Sequence, residues 1–196
     1  MRAFPPEGVI MVHERVSVVS QEVGEDFRVA AVSQEEAEAS EVEVPVGVGN
    51  RSSEPILFFS KKEKEQIAAV IREVEKKTSG EIRVHLARRT QEDILVHAKE
   101  IFEKIGMTNT KTRNGVLIFL NVKSRRFAVI GDVGIHEKVP EGLWDEMAQT
   151  MTEHFKKNRF ADGIVEAVRL IGEKLREYFP HERDDINELP DEISYS

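Results

Sequence analysis

Hydrophobic residues between positions 58 and 180 recur with two periods, and the two periods predict seven secondary-structure elements. Apolar residues three and four positions apart predict four helices, which begin near Ser60, Thr90, Pro140 and Ile164. Alternating or continuous apolar residues predict three strands, at 82–87, 116–120 and 127–130. The predicted order along the chain is therefore α-β-α-β-β-α-α.

The start of the first predicted helix carries a specific signal. Ser60 followed by Glu63 is a capping box, in which the hydroxyl and the carboxylate each bind a backbone N–H that the helix leaves free. Gly80 and Gly106 are expected to end the first two helices. Residues 123–125 are expected to turn the chain between the second and third strands.

The element order predicts the fold. A strand, a helix and a second strand form a right-handed parallel unit, and a tight turn then adds an antiparallel third strand. Helices on both faces of this small mixed sheet give an α/β fold of the three-layer α/β/α sandwich type.

The same topology brings three loops to one edge of the sheet. The first two strands begin at this edge and the third ends there, so residues 78–81, 113–115 and 131–137 are expected to converge. The last helix is expected to end near the same edge. It would bring residues 184–188 within reach.

The converging loops are rich in oxygen donors. Glu81, Asn114, Asp132 and Glu137 are hard ligands of the kind that suit Ca²⁺ or Mg²⁺ rather than zinc. Arg113, next to Asn114, is the best candidate for binding an anion. The spacing alone leaves open that these positions are ordinary turn and surface residues.

Charge is distributed unevenly along the 196 residues, whose net charge is −8. Residues 1–55 have a net charge of −7 and no lysine, and their composition predicts an acidic, mostly disordered N-terminal extension. Residues 56–180 have a net charge of +4 and form the predicted domain. Residues 181–196 have a net charge of −5 and form an acidic C-terminal tail that is expected to pack on the domain.

Composition excludes several classes of protein. The chain has no cysteine, which rules out disulfides, thiolate metal sites and cysteine nucleophiles. Its acidic balance argues against nucleic-acid binding. The longest apolar run, 116–120, is far shorter than the roughly 20 residues of a membrane-spanning helix. The apolar stretch at 9–12 is too short for a signal peptide, so a cytoplasmic location is expected.

Motifs of common hydrolases are missing from the sequence. It contains no Gly-x-Ser-x-Gly element, no phosphate-binding P-loop and no Asp-x-Asp pair. No residue stands out as a general base or a covalent nucleophile, and no catalytic residue is predicted.

Several runs of residues between about 58 and 192 are similar to those of one known family. The runs are 59–60, 78–82, 112–118, 128–138, 160–163 and 185–190. On these runs the chain resembles the TPM-domain family, also labelled TPM phosphatases. Exported members have a signal peptide and often a membrane helix, so this chain looks like the soluble, cytoplasmic bacterial branch.

The resemblance implies an α/β/α sandwich with a divalent-cation site, usually calcium, on loops at a sheet edge. It also implies an acid phosphatase activity for some members and a role in repair or assembly of membrane complexes for others. Many exported members have an acidic residue before Asn-Gly, where this chain has Arg113. That difference removes one possible ligand, and Asp132 is a candidate to replace the charge.

Three functions are therefore expected as alternatives. The first is a calcium-binding or magnesium-binding module that engages a protein partner. The second is a metal-dependent acid phosphatase, weak at most, that acts on phosphomonoesters. The third is a purely structural or scaffolding domain. The sequence gives no indication of the oligomeric state.

Overall fold

The structure is a computed structural model, and it describes residues 29–34, 37–43, 54–88, 94–136, 138–140, 142–181, 187 and 189–196. Six strands form one mixed sheet in the order β1-β2-β5-β4-β3-β6. The strands are β1 Val29–Gln34, β2 Ala37–Glu43, β3 Glu81–Ala87, β4 Gly115–Asn121, β5 Arg126–Asp132 and β6 Ser194–Tyr195.

The centre of the sheet has the predicted topology. β3 pairs with β4 in parallel, with Glu81 opposite Gly115, and β4 pairs with β5 antiparallel, with Val116 opposite Gly131. The turn between β4 and β5 is closed by Asn121, whose Oδ1 accepts hydrogen bonds from two backbone N–H groups. Both predictions, the crossover and the hairpin, are confirmed.

Six α-helices and one 3₁₀ helix connect the strands in the described part of the chain. The α-helices are α1 Pro55–Phe58, α2 Lys61–Glu75, α3 Ile94–Lys104, α4 Val133–His136, α5 Leu143–Lys156 and α6 Phe160–Tyr178. The 3₁₀ helix covers Met107–Asn109. α2 begins with the predicted capping box, because Ser60 Oγ accepts from the N–H of Glu63 and the Glu63 carboxylate accepts from the N–H of Ser60.

The helices cover both faces of the sheet. α2, α5 and α6 pack on one face around a large apolar core that includes Ile82, Val129 and Phe155. α3 packs on the other face around a smaller core that includes Leu117 and Phe102. The fold is therefore the predicted three-layer α/β/α sandwich with a mixed sheet.

The structure adds strands at both edges of the sheet that the sequence did not predict. Residues 29–34 and 37–43, which lie in the predicted N-terminal extension, form the hairpin β1–β2. β2 pairs with β5 along its whole length and satisfies backbone groups that an edge strand would leave open. The other residues from 1 to 53 lie outside the described residues.

The opposite edge is covered by the C-terminal tail. β6 pairs in parallel with the outer side of β3, and the side chain of Ile193 is buried in the large core. Leu189 packs against the smaller core. Of the tail predicted over 181–196, residues 189–196 thus lie on the domain, whereas residues 182–186 and 188 lie outside the described residues.

Where the chain is described, none of its helices has both the length and the apolar character that crossing a membrane requires.

Candidate functional site at the sheet edge

The three loops predicted to converge do meet at one edge of the sheet. Glu81 and Gly115 are paired at the start of β3 and β4. Gly131 of β5 is paired with Val116, and Asp132 is the next and last residue of β5. The end of α6 reaches the same edge. There the Thr78 hydroxyl and the Ser79 N–H both donate to the Phe179 carbonyl oxygen, at 2.6 and 2.9 Å.

A bidentate ion pair lies at the centre of this edge. Arg113 Nε is 2.6 Å from Asp132 Oδ2, and Arg113 Nη2 is 2.8 Å from Asp132 Oδ1. The N–H of Val133 also donates to Asp132 Oδ1 at 2.8 Å. Asp132 is 1% exposed. Charge-assisted pairs with this fork geometry are among the stronger polar contacts in proteins.

The backbone holds the two loops of this ion pair against each other. The N–H of Gly134 donates to the Arg113 carbonyl oxygen at 3.0 Å. A Cβ at Gly134 would lie 2.4 Å from the Thr112 carbonyl oxygen, so only glycine allows this approach. Arg113 itself has a φ of 51°, in the left-handed region that non-glycine residues rarely adopt.

Asn114, the residue after Arg113, is buried and uses only part of its amide. Its Nδ2 donates to the Ser79 carbonyl oxygen at 2.9 Å, which fixes the orientation of the amide. Its Oδ1 is buried and has no hydrogen-bond partner among the described residues. A buried amide oxygen without a donor is costly, and it is the kind of atom that a cation or a water molecule satisfies.

Glu81 lies on the same edge but apart from Asp132. The two residues flank Gly115 on neighbouring strands, so their Cα atoms are about 10 Å apart. Met107 fills the space between them, since a Cβ at Gly115 would lie 2.8 Å from its terminal methyl carbon. The structure therefore brings Arg113 and Asp132 together and keeps Glu81 two strands away.

The fourth predicted ligand, Glu137, lies outside the described residues. Among those that are described, no group of three or more His, Asp or Glu side chains is close enough to hold a metal ion. The described oxygen donors at the edge therefore do not form a preassembled cluster of carboxylates.

A second group of charges next to Glu81 was missed by sequence reasoning. The pKa of Glu75 is raised to about 9, mainly by burial and in smaller part by the nearby side chains of Asp191 and Glu81. Glu75 Oε1 accepts from the N–H of Ile82 at 2.8 Å. Burial also lowers the pKa of Arg83, which lies on β3 with Glu81 and Ile82. The sequence signal for Glu75 was ambiguous, because it stands among other charged residues at the end of a helix.

Comparisons with known proteins identify the fold. Residues 56–174, more than half of the chain, match the model of the TPM domain. The NMR structure of BA42 protein from the psychrophilic bacterium Bizionia argentinensis is 40% identical, with a TM-score of 0.67, and the match covers 71% of this chain and 96% of that one.

A more distant structure has the same fold. The N-terminal domain of a protein from P. gingivalis, solved by NMR, is 22% identical with a TM-score of 0.50, and the match covers 64% of this chain and 83% of that one. No curated protein matches the chain. The family model over residues 56–174 and the 40% identity to BA42 show that the chain belongs to the TPM-domain family.

Proposed function

We propose that this TPM domain is a divalent-cation-binding module, with calcium as its first candidate ion, and that it engages a protein partner. The cation binds at the edge formed by Asp132 and Asn114. The observation that carries the proposal is the buried Asn114 Oδ1, which has no hydrogen-bond partner among the described residues and lies next to the loop of a buried carboxylate.

The donors at this edge fit a hard cation in kind. A carboxylate, an amide oxygen and loop carbonyl oxygens are typical ligands of calcium, which accepts irregular geometry and keeps some water. Glu81 and Glu137 remain predicted additional ligands. Magnesium demands a nearly ideal octahedron, so the separated donors favour calcium.

One contact opposes the cation. The Arg113 guanidinium already satisfies both oxygens of Asp132, so an incoming cation has to displace it or share the carboxylate. A positive side chain close to a cation site also repels the ion. We therefore expect weak affinity, and we expect Arg113 to set it.

Displacement of Arg113 links the cation to the partner. The Arg113 side chain is 43% exposed while it is paired with Asp132. A cation on Asp132 frees the guanidinium to point into solvent, where it can pair with a carboxylate of another protein. Cation binding thereby changes the surface that a partner meets.

The phosphatase prediction gains no comparable support. It would use Arg113 to bind phosphate, and this guanidinium is held by Asp132. We propose no second function on this basis. The cytoplasmic location, the assignment to the cytoplasmic bacterial branch and the absence of nucleic-acid binding stay predictions from the sequence.

Thermal unfolding in calcium tests the proposal on the full chain. The wild type should gain Tm with millimolar calcium, and Asp132→Asn should gain none, because an amide is a weaker ligand. Glu166→Gln, on an exposed surface pair with Arg169, is the matched control and should respond like the wild type. An equal calcium response from Asp132→Asn would contradict the placement, and no response from any variant would leave the scaffolding function.

A further inference from the structure

The last residues of the chain lie along the outer edge of β3. Ser194 and Tyr195 pair with His85 and Leu86 in parallel register. Beyond them, the N–H of Ser196 donates to the Leu86 carbonyl oxygen at 3.1 Å, and the N–H of Arg88 donates to the Ser196 carbonyl oxygen at 3.0 Å. We call residues 189–196 the strap.

Alternate side chains of the strap meet different surfaces. Ile193 is 7% exposed and packs in the large core. Tyr195 lies on the same side, with Lys64 Nζ 5.4 Å from the centre of its ring. Ser194 and Ser196 point to the other side, toward His85. This alternation is typical of a peptide bound at a sheet edge, where main-chain hydrogen bonds provide affinity and pockets for alternate side chains provide specificity.

His85 forms hydrogen bonds with both serines of the strap. Its Nδ1 is 2.9 Å from Ser194 Oγ, and its Nε2 is 2.9 Å from Ser196 Oγ. The Ser194 hydroxyl also donates to the Val84 carbonyl oxygen at 3.4 Å. The tautomer that satisfies all three contacts is the one in which Ser194 Oγ accepts from Nδ1–H and the Ser196 hydroxyl donates to Nε2.

A contact outside the strap also positions the ring of His85. His85 is 2% exposed and stacks on Phe119, with the two ring planes within 5°. Without the strap, both ring nitrogens would lose their only hydrogen-bond partners among the described residues. A neutral imidazole held in this way offers one donor and one acceptor, which two hydroxyl groups two residues apart can match.

The main-chain pairing of the strap is short, and beyond the strand pairs it has, among the described residues, only the two backbone hydrogen bonds of Ser196. Only two of its residues form strand pairs, and Asp191 is 4.0 Å from Arg72, at the limit of an ion pair. Short edge strands with exposed neighbours open at low free energy. Tyr195 is 37% exposed even while the strap is seated.

We propose that the outer edge of β3 is a peptide-binding groove, that the strap is its intramolecular ligand, and that an extended segment of a partner protein with the same pattern replaces it. The pattern is a branched apolar residue, a hydroxyl residue, an aromatic residue and a second hydroxyl residue. Ile193 marks the apolar pocket and His85 is the specificity-determining residue. The groove lies on the far side of β3 from β4, and its occupation does not depend on the cation site.

A strap-open variant of the full chain allows a direct binding test. Ile193→Asp with Ser194→Ala and Ser196→Ala removes the buried anchor and both hydroxyls. The probe is a fluorescent peptide with the sequence of residues 189–196, and its anisotropy measures Kd. We expect saturable binding to the variant, at least about tenfold tighter than to the wild type, whose own strap competes at high effective concentration.

A matched peptide tests the role of His85. The same peptide with both serines replaced by alanine should bind the strap-open variant at least about tenfold more weakly. Adding His85→Phe to that variant should remove the preference between the two peptides, because only the ring nitrogens distinguish them. Absence of saturable binding, or equal binding of the two peptides, would overturn the proposal that this edge is a peptide-binding groove.

Hydrogen exchange on the wild type provides a measurement that does not depend on a variant. The amides of Arg88 and Ser196 should exchange at least about a hundredfold faster than those in the centre of β4, because the strap opens without global unfolding. Circular dichroism of the strap-open variant checks that its domain is folded. Equal protection of the strap and β4 amides would show that the strap cannot be displaced, and would also overturn the proposal.

Discussion

Arg113 and Asp132 form a bidentate ion pair in which the carboxylate is buried and the guanidinium is half exposed. The pair joins the loop before β4 to the end of β5. It places a fixed positive group on a carboxylate that the sequence alone assigned to a metal ion. The proposed function is that a divalent cation competes with this guanidinium for Asp132.

Removal of the guanidinium should increase affinity for calcium. Arg113→Gln frees both oxygens of Asp132 and removes a local positive charge, so the Kd for calcium should fall at least about tenfold. The same variant leaves a buried carboxylate short of partners and should lose about 1–3 kcal/mol of stability without calcium. Calorimetric titration and denaturant unfolding measure the two effects.

A control separates the local effect from net charge. Arg169→Gln removes the same charge from an exposed pair with Glu166, and its calcium affinity should match that of the wild type. If Arg113→Gln binds calcium no better than Arg169→Gln does, the competition between guanidinium and cation does not exist.

The close approach of the two loops can be tested at a glycine. Gly134→Ala places a Cβ 2.4 Å from the Thr112 carbonyl oxygen and should cost about 1–3 kcal/mol of stability. Gly142→Ala is the matched control, because a Cβ there meets nothing within 4 Å. Chemical denaturation should show a loss only for Gly134→Ala. Equal stability of the two variants would mean that the loops are not packed as described.

The raised pKa of Glu75 predicts a pH dependence of stability. The folded chain keeps the Glu75 proton to a pKa of about 9, whereas the unfolded chain releases it near 4.5. Stability from this group is fully present below pH 4.5 and falls by up to about 1.4 kcal/mol per pH unit until pH 9. Glu75→Gln copies the neutral carboxyl and should flatten that decline.

Unfolding in urea at pH 5, 7 and 8.5 compares the two chains. Glu75→Gln should be the more stable at pH 7 and 8.5, and the two should be similar at pH 5. The control is Glu73→Gln, which should follow the wild type. Glu73 lies on the same helix as Glu75, but it is exposed and paired with Lys77. A Glu75→Gln variant with an unchanged pH profile would show that Glu75 is ionised in the folded protein.

The strap should control the titration of His85. The pKa of His85 is lowered to about 4, mainly by burial and in smaller part by the nearby His97, Arg83 and Lys104. Its contribution to stability is therefore present above pH 6.5 and is lost as the pH falls through 4. NMR titration should show this low pKa in the wild type and a pKa closer to 6.5 in the strap-open variant. A normal pKa in the wild type would contradict the seated strap.

The sequence predicted the central sheet because its signals are local. The capping box at Ser60 and the apolar run at 116–120 depend on neighbouring residues, and both are found as predicted. β6 could not be predicted in this way. Ser194 and Tyr195 form a strand only because they pair with the edge of β3. This pairing joins residues that are far apart in the chain.

The candidate site was predicted only in part, for a similar reason. Topology correctly placed Glu81, Asn114 and Asp132 at one edge, because strand directions follow from the order of elements. Side-chain partners do not follow from that order. Neither the ion pair between Arg113 and Asp132 nor the contact of the Met107 methyl with Gly115 could be derived from the sequence. The β1–β2 hairpin was missed because its composition resembles that of a disordered acidic segment.

The most direct test is an amide NMR titration of the full-length protein with calcium and then with magnesium. The account predicts saturable shifts confined to residues 78–81, 113–115 and 131–137, larger and tighter for calcium, together with a change at the Arg113 Nε–H as its bond to Asp132 is lost. Absence of shifts at these residues up to millimolar calcium would contradict the proposed cation site.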